Sequence, residues 1–151
     1  MLNRFKSLFA EESAKVSMPN KEELQAAASA LLVEAACMDG HFDDQERKSI
    51  ITLMKQHFNL NHEESSTLVS EAEKVIENAG DLYAFTRIIK DRYDTEGRIK
   101  MIEMLWEVAF ADGDSDYFEV NLISRIAGLI FVSDRDRGEA KKRVMARLGI
   151  N

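Results

Sequence analysis

One segment occurs twice in this chain, and the rest is arranged around it. Residues 32–46 and 105–119 are related by a fixed offset of 73, with seven identities in fifteen positions and no gap. The identical pairs are Leu32 and Leu105, Glu34 and Glu107, Ala36 and Ala109, Asp39 and Asp112, Gly40 and Gly113, Asp43 and Asp116, and Glu46 and Glu119. Self-similarity at a fixed period marks a duplicated structural unit. Each copy runs an apolar helical stretch into Asp-Gly and starts a new helix within a few residues. A chain that repeats a helix-to-helix corner is committed to helices.

The remaining signals agree. Asn20 to Glu23, Asp43 to Glu46, Asn61 to Glu64 and Asp116 to Glu119 have the spacing of capping boxes, in which an N-cap side chain and the third helical residue satisfy each other's backbone N–H. Asp94 and Ser133 are further N-cap candidates. Gly40, Gly80 and Gly113 are stop signals. The periodicity predicts helices over about 21–38, 43–58, 62–78, 82–92, 96–111, 116–130 and 133–148. No stretch alternates with the period of a strand. The expected fold is all-α with about seven helices: two three-helix halves related by a pseudo-twofold axis and joined by a short helix. The helices over 21–38 and 96–111 are apolar on most sides and are expected at the centre. The expected division is an amphipathic arm over 1–18, with Leu2, Phe5, Leu8 and Phe9 at helical spacing, and a single domain over 19–151.

Bulk properties narrow the function. At 151 residues the chain is long enough to bury a core of its own. A net charge of -7 argues against nucleic acid, whose phosphates call for a basic face. The one cysteine, Cys37, cannot form an internal disulfide, fits a reducing compartment, and is read as a buried thiol. No apolar run nears the roughly 20 residues of a membrane-spanning helix. The expected location is cytoplasmic, with the arm over 1–18 as a candidate for peripheral membrane contact. No phosphate loop, nucleophile elbow or zinc-protease motif is present, so no enzyme is expected.

The two corners concentrate acids. Glu34, Asp39, Asp43, Asp44 and Glu46 belong to the first, and Glu107, Asp112, Asp114, Asp116 and Glu119 to the second. Like charges at 4 Å repel by about 1 kcal/mol per pair even in bulk water. Helix capping accounts for Asp43, Glu46, Asp116 and Glu119, and turn chemistry for Asp39 and Asp112. It leaves Glu34 and Glu107, at matched positions on apolar helices, without a role. Oxygen ligands of this kind suit Ca²⁺ or Mg²⁺. Asp-Gly-x-x-Asp-x-x-Glu is also the second half of an EF-hand loop, but Ala35 and Cys37, or Val108 and Phe110, stand where its first ligands would be. A self-contained EF-hand is therefore excluded, and any cation site is expected to be weak, with an affinity of roughly 10⁻⁴ to 10⁻³ M. His41, His57 and His62 read as plain surface.

The doubled pattern of helical Glu, Ala, Asp-Gly and Asp-x-x-Glu resembles the TerB-like tellurite-resistance family, over about residues 20–150. It is also similar to the N-terminal module of a membrane-anchored DnaJ-type co-chaperone. The resemblance implies an all-helical fold of about seven helices, an acidic patch for a divalent metal, and a link to bacterial stress responses and membrane-associated complexes. Carried over residue by residue, the metal ligands would be Glu34, Asp39, Asp43 and Glu46, with Glu107, Asp112, Asp116 and Glu119. The corners differ between Gly and the second Asp, His41-Phe42 against Asp114-Ser115, so unequal affinity is expected. The leading expectation is a non-enzymatic module that binds a divalent cation and a protein partner. A metal-free interaction scaffold whose acids are helix caps is the alternative, and an acid-pair hydrolase the third reading.

Overall fold

The computed structural model describes residues 20–37, 42–79, 82–110 and 117–150. Side chains of 20, 21, 78, 79, 82 and 117–119 are outside that description. Among the described residues there are seven helices and no strand: α1 (Asn20–Ala36), α2 (Asp44–Phe58), α3 (His62–Ala79), α4 (Leu82–Arg92), α5 (Thr95–Ala109), α6 (Tyr117–Leu129) and α7 (Asp134–Leu148). The all-α expectation holds. The described ends of α1 and α5 fall about two residues short of the expected 38 and 111.

The caps explain most of the boundaries. Asp43 accepts from the Glu46 N–H at 2.8 Å, and the Glu46 carboxylate accepts from the Asp43 N–H at 3.2 Å. Asn61 and Glu64 make the same reciprocal pair at 2.8 and 3.0 Å. Asp94 accepts from the Gly97 N–H at 2.9 Å, and Ser133 from the Asp136 N–H at 3.1 Å. Each cap satisfies N–H groups that the first helical turn would otherwise leave without a partner. At the other ends, α2 closes on Asn59 and α7 on Gly149, both in the left-handed region. Phe131 adopts the same conformation just after α6. Glu23 is turned toward α4, where it pairs with Arg92 at 3.2 Å. The expected stops at Gly40, Gly80 and Gly113, and the arm over 1–18, lie outside the described residues.

The core is centred on α1 and α5. In α1 Ala26, Ala27, Ala28, Ala30, Leu31, Leu32, Val33 and Ala35 are all fully buried, so this helix has apolar neighbours on nearly every side. Its small alanines let α2, α3, α4, α5 and α6 all pack against it. Ser29 is buried among them, with its hydroxyl donating to the Ala26 carbonyl at 3.0 Å. That bond supplies the partner a buried hydroxyl requires. α5 packs on α1, α2, α6 and α7, and contributes Met101, Ile102, Leu105, Trp106 and Val108 to the same core. Pairings recur at the repeat offset: α1 with α3 and α5 with α7, α1 with α2 and α5 with α6, α1 with α6 and α5 with α2. α4 packs on α1 and α6.

Candidate functional site

Of the eight acids proposed as metal ligands, Glu34, Asp43, Glu46 and Glu107 have described side chains. Asp39, Asp112 and Asp116, and the side chain of Glu119, lie outside the described residues, as do His41 and Asp114. The described four are differently placed. Among the described residues no group of three His, Cys, Asp or Glu side chains is arranged to hold a metal ion.

At the first corner, Asp43 and Glu46 are the two halves of the α2 capping box, and Glu46 is buried. Each carboxylate spends one oxygen on a backbone N–H. Arg47 follows, with its guanidinium 5.0 Å from the centre of the Phe42 ring and paired with Glu73 on α3. The corner is thereby tied to both α2 and α3. Cys37, just past α1, is half-buried against the core, more open than the sequence suggested. Its thiol stands at the margin of the packed region because α1 ends one residue earlier.

Glu34 is half-buried on the last turn of α1. Burial pushes its carboxyl above the usual carboxylate range, and the positive charge of Arg125 on α6 pulls partly the other way. No hydrogen bond or ion pair within the described residues holds its carboxylate. A carboxylate withdrawn from water without a bonded partner is a charge waiting to be compensated.

Glu107 is in the opposite condition. The Arg147 guanidinium on α7 donates to it, and also to Glu103 at 3.0 Å. Arg143 donates to the second oxygen of Glu103, again at 3.0 Å. The four side chains form one network that joins α5 to α7. The hydrogen bond that Arg147 donates to Glu107 is the main cause that raises the arginine's pKa above the usual guanidinium value. By sequence alone, Arg143 and Arg147 stand in the late turns of the last helix, where their charge suits the negative end of its dipole. The missed signal was the matched spacing, Glu103 and Glu107 one turn apart facing Arg143 and Arg147 one turn apart.

Two further features border this region. Trp106 stacks on Phe110 with ring centres 5.6 Å apart, and the Lys141 ammonium lies 5.1 Å from the indole centre. His57, near the end of α2, is held below the usual imidazole range, mainly by desolvation and then by the charge of Lys100, with Glu107 and Glu103 opposing. The cavities nearby are open grooves, the larger about 630 Å³, and Glu107 is the carboxylate on its wall. Among the described residues, no first-corner carboxylate lines it beside Glu107, whereas an acid-pair hydrolase would need carboxylates from both corners.

Seven described helices, five of them packed around the two buried ones, α1 and α5, make a small all-helical module. Residues 25–142, most of the chain, match the family described as tellurite resistance protein TerB, and the chain belongs to that family. No curated protein and no solved structure matches it. Among the described residues no helix is long and apolar enough to cross a membrane.

Proposed function

We propose that this TerB-family module is a non-enzymatic, cytoplasmic protein that binds a divalent cation, Ca²⁺ or Mg²⁺, at its acidic corners. Its role is to present the helical body to a protein partner in a stress-response or membrane-associated complex. The two halves are read as related by a pseudo-twofold axis, in line with the recurring helix pairings. The observation that supports the cation reading is Glu34: a carboxylate half out of water, raised in pKa, with no bonded cationic partner among the described residues. The candidate set at this corner is Glu34, Asp39, Asp43 and Glu46. At the second corner, Glu107, Asp112, Asp116 and Glu119, the cation competes with Arg147 for Glu107, so binding there is weaker.

Calorimetric titration with Ca²⁺ and with Mg²⁺ tests this. Binding at millimolar levels is expected to raise the melting temperature by mass action. Glu34→Gln is expected to remove most of the heat of binding, and Glu107→Gln to change it little. No heat and no thermal shift with either ion would leave the capped, metal-free scaffold as the better reading.

A further inference from the structure

A trough runs between α2 and α5, and its two parts share Gln56. The lower part, about 310 Å³, lies where α2 finishes and α5 begins. Gln56 and His57 line it from α2, Gly97 and Lys100 from α5, and Tyr93 from the connection before α5. Four of these five residues carry a side-chain N–H or O–H donor, and no carboxylate stands among them. In a chain with 27 acidic and 20 basic residues, that is a local reversal of charge.

The donors are uncommitted. Among the described residues, the Gln56 amide, the His57 ring, the Tyr93 hydroxyl and the Lys100 ammonium have no hydrogen-bond or ion-pair partner. The acids whose charge reaches His57, Glu107 and Glu103, are already held by Arg147 and Arg143. The helix ends nearby are also occupied. At the end of α2, the Asn59 and Leu60 N–H groups donate to the Lys55 carbonyl. At the end of α4, the Arg98 guanidinium donates to the Tyr93 and Lys90 carbonyls at 3.1 and 2.8 Å. These bonds offset the negative poles of both helices.

The wall is also shaped. A Cβ at Gly97 would stand 2.6 Å from Tyr93 Cδ1, so glycine is what lets the tyrosine ring lie against the first turn of α5. Burial pushes the Tyr93 hydroxyl up to about 12, so it remains a protonated donor at neutral pH. Spare donors around one unpaired ammonium, with no competing carboxylate, suit a compact group that has several acceptor oxygens and a double negative charge.

We propose that the lower trough binds a small dianionic oxyanion of the sulfate or phosphate type. The Lys100 ammonium is its counter-charge, and Gln56, His57 and Tyr93 donate hydrogen bonds to it. The group is a free ion or the phosphoryl end of an organic molecule, whose body would then extend past Gln56 to Ser49 and Thr52 in the upper trough. The site is separate from the acidic corners and does not depend on a bound cation.

The test uses the full chain and sodium sulfate, followed by NMR at fixed pH. Millimolar sulfate is expected to move the side-chain resonances of Gln56 and His57 and to leave those of His62 in place. Lys100→Met is expected to weaken the response about tenfold or more, and Gln56→Ala, which removes no charge, about threefold or more. Both side chains are exposed, so both variants should keep the parent spectrum elsewhere. No movement with sulfate would overturn the proposal. So would equal movement with sodium chloride at matched ionic strength, which is screening alone. A response lost in Lys100→Met but untouched in Gln56→Ala would also overturn it, leaving a surface lysine that collects counter-ions. Inorganic phosphate and adenosine monophosphate then separate the two sources. Equal affinity assigns the free ion, and tighter binding of the nucleotide with movement at Ser49 and Thr52 assigns a phosphoryl ester. Binding of neither would overturn the phosphate-type reading along with the site.

Discussion

Phe131 is the residue most at odds with its surroundings. Its φ is +61, its side chain is 72% exposed, and the equivalent site in the first half holds Asn59 at φ +55. The left-handed conformation costs an ordinary residue about 1–2 kcal/mol, which asparagine partly escapes through local hydrogen bonds. The Lys90 ammonium, 5.3 Å from the ring centre, returns only about 0.5–1 kcal/mol at an exposed site. Phe131→Asn is therefore expected to stabilise the fold by about 0.5–1 kcal/mol, read from denaturant midpoints. Glu34 makes the second residue-scale case. Its raised pKa means the folded chain holds the proton more tightly than the unfolded chain does. Ionisation therefore costs stability as pH rises through the window from the usual carboxylate pKa to the raised one, and the cost persists above it. Without added cation, Glu34→Gln should raise the melting temperature at pH 7, and the gain should fade once pH drops below the usual carboxylate value. A gain that is equally large at pH 3 would point to packing instead.

Between elements, the α5–α7 pairing carries the most extended charge network among the described residues. Glu103 and Glu107 are mostly covered, while Arg143 and Arg147 are about half exposed. Exposed pairs contribute about 0–1 kcal/mol each, so Arg147→Ala, which removes two, is expected to cost about 1 kcal/mol. The loss should shrink in high salt, because screening already weakens the pairs in the parent chain. Urea unfolding at low and high NaCl would measure both. The helices themselves were legible from the sequence because their signals are local. Asp43 with Glu46, and Asn61 with Glu64, sit three residues apart and form the bonds their spacing predicts. The α5–α7 network was not, since Arg147 and Glu107 are 40 residues apart and meet only when two helices choose facing sides. The candidate corner was half legible for the same reason. The capping roles of Asp43 and Glu46 follow from spacing. That Glu34 faces Arg125 and Glu107 faces Arg147 follows from packing, so two acids matched in sequence acquired different surroundings.

At the level of the whole molecule, the sequence carried the class of fold and the central place of α1 and α5, because few chains can surround a helix as apolar as α1 except with other helices. The trough left between α2 and α5 was not readable, because it depends on how far apart two surfaces stay once their neighbours are packed. The direct contact between α1 and α5 has one more consequence. Each repeat keeps its most oily helix dry only by lending it to the other repeat, so neither should survive alone. Separately produced pieces, 1–81 and 82–151, are each expected to be aggregation-prone or loosely coiled. Mixed, they should reassemble into a stoichiometric pair with the circular dichroism of the uncut protein.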